Sequence, residues 1–275
     1  MLRFARWLLL IPVVLILFLL GPLLTVATGA VTIGGDWRTA SRNPVGLAPD
    51  PAVTPEAVLQ VYAARAFSWR AAFAVHSWIA VKPAGAPSYT VYEVNGWRRY
   101  RGLPPLHAND RPPDAEWFGH RPELLLDLRG EGVDKLIERV TQAAGTYPYA
   151  DVYRAWPGPN SNTFVAHVAR QIPELRLELP PTAIGKDYLG TSSPLGTAPS
   201  GTGFQISLFG LLGVLVAVEE GLEVNLLGLT MGIDPLDLAI KLPGLGRIGL
   251  ADRQSPAAEE PPIDEAQPPL IADKV

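Results

Sequence analysis

Three groups in this chain have residue types and spacing that suit chemistry. Positions 156–164 read Trp-Pro-Gly-Pro-Asn-Ser-Asn-Thr-Phe, setting Asn160, Ser161 and Asn162 at the mouth of an apolar helical pattern, after two prolines. A hydroxyl there feels unpaired backbone N–H groups and the positive end of the helix dipole, both of which favour developing negative charge. That is a seat for an acyl-transfer nucleophile with an oxyanion site beside it. The same residue types are also preferred helix caps, so Asn160 or Ser161 has a purely structural reading as well. His76 is the second group. It sits within an apolar stretch, Ala-Val-His-Ser-Trp at 74–78, where a polar ring needs a partner or a task. As a general base it would take the proton of Ser161. The third group is Tyr92-Glu93, where Glu93 is the carboxylate able to orient the imidazole and Tyr92 the alternative. Asn160, Asn162 and Tyr92 complete the expected ligand-binding set.

The chain has 275 residues, 28 prolines, 26 glycines and no cysteine. A disulfide framework, a thiolate metal site and a thiol nucleophile are therefore excluded. His107 with Asp110 or His120 offers loose metal ligands without a strand-face or helix-face spacing, so no metal and no cofactor is expected. Arg98, Arg99 and Arg101 beside Trp97 and Tyr100 read as a solvated face or as contacts to anionic groups. With 23 basic and 27 acidic residues the net charge is −4, which argues against a nucleic-acid partner.

The elements that must position these groups follow from periodicity. Positions 54–64 carry a helix-start pattern, Thr54-Pro55-Glu56, with Val58, Val61 and Tyr62 at i, i+3 and i+4. Two β-rich stretches at 71–81 and 89–94 predict a hairpin that carries His76 and Glu93. Helices are predicted over 133–144 and over 161–172, the latter stopped by Pro173. Positions 95–122 read as a long loop. Beyond 191 the composition turns glycine-rich and residues 204–242 predict a set of strands, with membrane contact as a minor option.

At the N-terminus residues 7–24 are almost wholly apolar and follow Arg3 and Arg6. Eighteen helical residues reach about 27 Å, close to the thickness of a hydrocarbon core. A transmembrane anchor with the chain exported is favoured over a cleaved signal ending near Ala27-Thr28-Gly29. The organisation is then an anchor or signal at 1–30, a linker at 31–54, an α+β core at 55–190, a Gly-rich β module at 191–251 and an acidic, Pro-rich disordered tail at 252–275. The expected location is a bacterial inner membrane with the bulk on the periplasmic side. The bilayer would be a partner, and a cell-wall peptide or lipid a substrate.

The residues also carry a resemblance. The segments WRTASR, AVHSWIAVKP, YEVNGW, WFGHRPELLLDLRGEGVDKLI, YPYADVYRAWPGPNSNTF and PPTAIGKDYL resemble a bacterial domain-of-unknown-function family, number 3750. More distantly, a strand histidine followed by an Asn-nucleophile-x-x-Phe helix start is similar to circularly permuted papain-like proteins, the NlpC-type and lecithin:retinol acyltransferase-like groups. That likeness implies an α+β fold, an antiparallel sheet with about three packed helices. It also implies an amide or ester hydrolase or acyltransferase using Ser161, His76 and Glu93. Those families place cysteine where this chain has Ser161. A serine hydroxyl is far less acidic than a thiol and needs its proton removed during attack. A serine hydrolase variant, a lapsed enzyme and a non-catalytic envelope ligand-binding or structural module all fit this substitution.

Overall fold

The computed structural model describes residues 2–250. Met1, residues 251–275, which include the expected disordered tail, and the side chains at 2–11 and 14 lie outside the described residues.

Two antiparallel sheets dominate. The first has the order β4-β3-β2-β1-β5 and contains β1 (Val58–Arg65), β2 (Val75–Lys82), β3 (Thr90–Val94), β4 (Leu106–Asn109) and β5 (Glu123–Arg129). The helix-start pattern at 54–64 gives way to a strand because β1 runs through the middle of this sheet. There Val58, Leu59, Val61 and Tyr62 are buried on both faces, which suits β-branched and aromatic side chains.

Alternation along β2 sorts the two cores. Ile79 and Val81 face α2 (Val133–Gly145) and α3 (Ser161–Gln171), packing with Val140, Phe164, Val165 and Val168. Trp78 and Ala80 face the other way, against Tyr62 and Val91, with Trp117 and Leu47 closing that side. The helix predictions at 133–144 and 161–172 correspond to α2 and α3. The 31–54 stretch runs beside this second core, where Leu47 and Ala48 N–H groups donate to Asp114.

The second sheet is the larger, a seven-stranded meander running β12-β11-β10-β9-β8-β7-β6. Its strands are β6 (Leu195–Thr197), β7 (Gly203–Leu208), β8 (Leu212–Ala217), β9 (Gly221–Leu226), β10 (Leu229–Asp234), β11 (Ala239–Leu242) and β12 (Gly246–Ile248). The polar positions of these strands point inward. Lys186 Nζ lies 2.5 Å from Glu223 Oε2 and 3.0 Å from Asp187 Oδ1, while Lys241 Nζ lies 2.8 Å from Glu223 Oε1 and 2.5 Å from Glu178. Both lysines are at most 1% exposed. Asn225 donates to Asp187, and the Arg170 guanidinium donates to Gln205 and to the Lys186 carbonyl. Buried charge of this density is sustained because both lysines meet carboxylates at hydrogen-bond distance and the arginine is met by oxygen acceptors.

This architecture overturns the expected α+β, permuted papain-like class. Five and seven antiparallel strands outweigh the few helices, and the glycine-rich part is the larger sheet, not an appendage to a helical core. The expected transmembrane helix is overturned too: among the described residues no helix is long and apolar enough to cross a membrane. The first helix, α1 (Leu2–Ala27), contains Pro12 and Pro22. Its last turns pack on protein: Gly21 and Pro22 abut Pro243 and Gly244, and Thr25 Oγ1 donates to the Gly244 carbonyl at 3.4 Å.

Candidate functional site

The start of α3 is held by side chains from three directions. Asn160 is the N-cap: its Oδ1 accepts from the Asn162 and Thr163 N–H groups at 3.0 and 3.2 Å, and Thr163 Oγ1 accepts from Asn160 N. The Asn160 Nδ2 donates to the Ala155 and Ile184 carbonyls. Asn162 stitches the helix to β2, accepting from Ser77 Oγ at 2.8 Å and donating to Val75 O and Ile184 O. Gly185, at φ +100°, packs directly against the Asn160 amide, where a side chain would collide. Both asparagine side chains are therefore occupied by protein partners. Between them Ser161 is the first residue of α3, and it is buried. Among the described residues its hydroxyl has no hydrogen-bond partner.

His76 comes from the other side of β2. Ser77 turns toward α3, so its neighbour His76 turns toward Trp78 and stacks on Trp117, ring centroids 3.6 Å apart and 10° from parallel. Its Nε2 stands 3.6 Å from Glu93 Oε2, beyond direct hydrogen-bond length. Glu93 is the centre of a wider cluster. Its Oε1 lies 3.2 Å from His107 Nε2 and accepts from Asn109 at 3.0 Å, and Arg111 reaches Oε2 at 3.4 Å. The register explains the grouping, since Glu93 is paired with His107 and Val91 with Asn109 across β3 and β4. The Arg111 guanidinium also lies over the Trp78 ring at 4.5 Å.

The electrostatics divide the roles. Burial pushes the His76 pKa below that of a free imidazole and keeps the ring neutral, with Glu93 opposing in part. Burial alone would raise Glu93. The His107 and His76 imidazoles and the Arg111 charge outweigh it and hold the carboxylate well below its ordinary value.

One cavity of about 810 Å³ joins these groups. His76 and Ser161 both line it, and so do Asn160 and Asn162. Much of the remaining wall is aromatic: Trp69, Trp97, Tyr100, Trp117, Tyr153 and Trp156. The structure thus brings His76 to Glu93 and places Ser161 on the same cavity from another wall. Among the described residues no hydrogen bond links Ser161 to His76. Tyr92 is not in this wall. It faces α2, where its hydroxyl meets Thr141 Oγ1 at 3.2 Å.

Asn109, Arg111 and Trp117 are the site residues that sequence reasoning passed over, and His107, read there only as a loose metal ligand, belongs to the same cluster. The available signal was the alternation Leu-His-Ala-Asn at 106–109, a four-residue strand hidden in a long loop. No group of three or more His, Asp or Glu able to hold a metal exists among the described residues. Arg98 and Arg99 instead donate to backbone carbonyls of Pro104 and Tyr153.

A family described as a protein of unknown function (DUF3750) matches residues 56–188. The matched segment carries the first sheet, α2, α3 and the whole His76–Glu93–Ser161 region, and it ends before the second sheet. Comparison with curated proteins and with solved structures gives no match. The papain-like resemblance is not confirmed.

Proposed function

Residues 56–188 belong to the DUF3750 family, whose description assigns no activity, and from the cavity we propose transfer or hydrolysis of an acyl group on an amide or ester. Ser161 is the nucleophile, His76 the general base and Glu93 the carboxylate behind the imidazole. The carrying observation is that an unpartnered hydroxyl at a helix start and a neutral, carboxylate-backed histidine line one cavity. Bound substrate would sit between the two walls. As Ser161 Oγ bonds to the carbonyl carbon, its proton passes to His76. The same proton then goes to the departing amine or alcohol, and water releases the acyl group by the reverse sequence. The positive end of α3 favours the oxyanion that forms in each step.

A second reading has its own observation in favour. His76 leaves the face of β2 turned away from α3, whereas Ser161 starts α3 itself, the two asparagines are occupied, and the cavity wall includes four tryptophans and two tyrosines. Such a wall holds an apolar or aromatic ligand without chemistry. A serine-directed acylating probe such as a fluorophosphonate separates the two. The catalytic reading expects labelling of the wild type, none of Ser161→Ala and strongly reduced labelling of His76→Ala. Wild type that stays unlabelled while a hydrophobic ligand changes its tryptophan emission assigns the cavity to binding.

A further inference from the structure

We propose that the outer face of the seven-stranded sheet is a membrane-contacting surface that lies on the acyl chains of a bilayer. It is independent of the reading of Ser161 and His76. The alternation in this sheet is inverted relative to an ordinary water-facing sheet. Glu223, Asn225 and Lys241 point inward, while Phe204, Ile206, Val214, Val224, Ile233 and Ile240 point out and are each 43–76% exposed. The register makes them one ladder: Ile206 pairs with Val214, Val214 with Val224, Val224 with Met231, and Ile233 with Ile240. No charged side chain stands at these outward strand positions. Seven strands of three to six residues give a face of roughly 550 Å², in the upper part of the range for the largest apolar patch on a water-soluble monomer. Apolar-out and polar-in is the pattern of β-structure that meets lipid.

What covers this face is indicated by what adjoins it. The turn between β11 and β12, Pro243 and Gly244, is the surface on which α1 docks. There Gly21, Pro22 and Thr25 take the docked side, and Val13, Leu15, Ile16 and Leu17 are about half exposed over roughly 200° of the helix. One flat protein surface cannot cover both a sheet face and so wide an arc, whereas acyl chains conform to each. A protein partner would also leave its mark in polar pairs, at about one hydrogen bond per 100–200 Å², and in aromatic or arginine anchors. The outward ladder offers one aromatic, Phe204, and almost no hydrogen-bonding group.

The absence of cysteine makes the test direct, because one introduced thiol takes a single environment-sensitive fluorophore. The full chain is labelled at Val224→Cys or Ile240→Cys on the face, and at Glu131→Cys on the turn before α2. Variants with unchanged circular dichroism and Tm are mixed with phosphatidylcholine vesicles, with and without nitroxide-bearing lipid. The expected result is a blue shift and severalfold quenching of the face labels at both low and high salt, with the Glu131→Cys label unaffected. Adding Val214→Glu should reduce that quenching severalfold. Face labels that respond no more than Glu131→Cys would overturn the proposal. So would face labels that become buried without vesicles as sedimentation shows a dimer, which would assign the face to a second copy.

Discussion

Glu93 stands behind His76 at 3.6 Å, and the two reach each other from neighbouring strands on the face of the first sheet away from α3. The carboxylate is committed on every side, to His107, Asn109 and Arg111 as well as to His76. It therefore fixes one flank of the imidazole while Trp117 fixes its plane, and the ring is held in the cavity wall with little freedom to turn.

Burial lowers the His76 pKa, so its titration should fall below the free-imidazole value of about 6.5. Because Trp117 stacks on the ring, protonation should quench that indole. The difference in emission between wild type and Trp117→Phe should titrate with a midpoint under 6.5. The linked effect on stability has a definite sign. Below about 6.5 the unfolded chain binds a proton that folded His76 refuses, so stability falls with pH by up to about 1.4 kcal/mol per unit. Glu93, held well below its ordinary value, adds a loss of the same sign once pH drops through about 4.5. Urea unfolding at stepped pH measures this, and His76→Ala should reduce the upper part of the slope, leaving the share of His120 and His167, which burial also shifts down.

Glu93→Gln keeps the shape of the side chain and removes its charge, leaving the Arg111 guanidinium over Trp78 without its ion-pair partner and with only the more distant Asp114 carboxylate. Breaking a buried pair costs about 3–5 kcal/mol, and partial exposure of Arg111 reduces that to about 2–4. Chemical denaturation of the variant should show this loss. On the catalytic reading acyl-probe labelling also drops, while Arg111→Met in the Glu93→Gln background recovers stability without restoring labelling. A stable Glu93→Gln with full labelling would remove Glu93 from the mechanism.

Much of this was legible in the sequence, and the failures have physical causes. A histidine and a glutamate inside apolar strands were visible as polar residues needing partners. Which face each took was not, because strand parity depends on a partner register that local sequence does not encode. The Val58, Val61, Tyr62 spacing fits a helix and a strand equally. Packing on both faces of the sheet decided for the strand. The strands beyond residue 204 were readable from alternation, but their orientation was not. Burial of Glu223 and Lys241 in preference to Ile206 and Val224 follows from the ion network with Lys186 and Glu178, whose members come from separate parts of the chain.

Asn160→Ala tests whether the cap positions Ser161. The substitution removes two accepted N–H bonds at the start of α3 and two donated bonds to Ala155 and Ile184. Loss of a cap costs about 1 kcal/mol and the orphaned carbonyls add to it, so about 2–3 kcal/mol is expected by denaturant unfolding. Asn160→Asp keeps the acceptor for the helix N–H groups and should recover roughly the capping part. If Ser161 is the nucleophile, its labelling should follow the cap: lost in Asn160→Ala and largely kept in Asn160→Asp.

Lys241→Met addresses the polar core beneath the second sheet. The ammonium is fully buried and meets Glu223, Glu178 and the Glu220 carbonyl. Methionine fills nearly the same volume, so the change isolates the charge. It leaves Glu178 without this cation and Glu223 with Lys186 alone, and removal of one partner from a buried network costs about 3–5 kcal/mol. Pairing it with Glu178→Gln neutralises the carboxylate that faced the lost ammonium and should regain part of that loss, an interaction that a double-mutant cycle reads directly. A single variant within about 0.5 kcal/mol of wild type would show that the ion network does not dictate which face of this sheet turns inward. A large, partly recoverable loss would show that the network sets the orientation that leaves Ile206, Val214 and Val224 facing out.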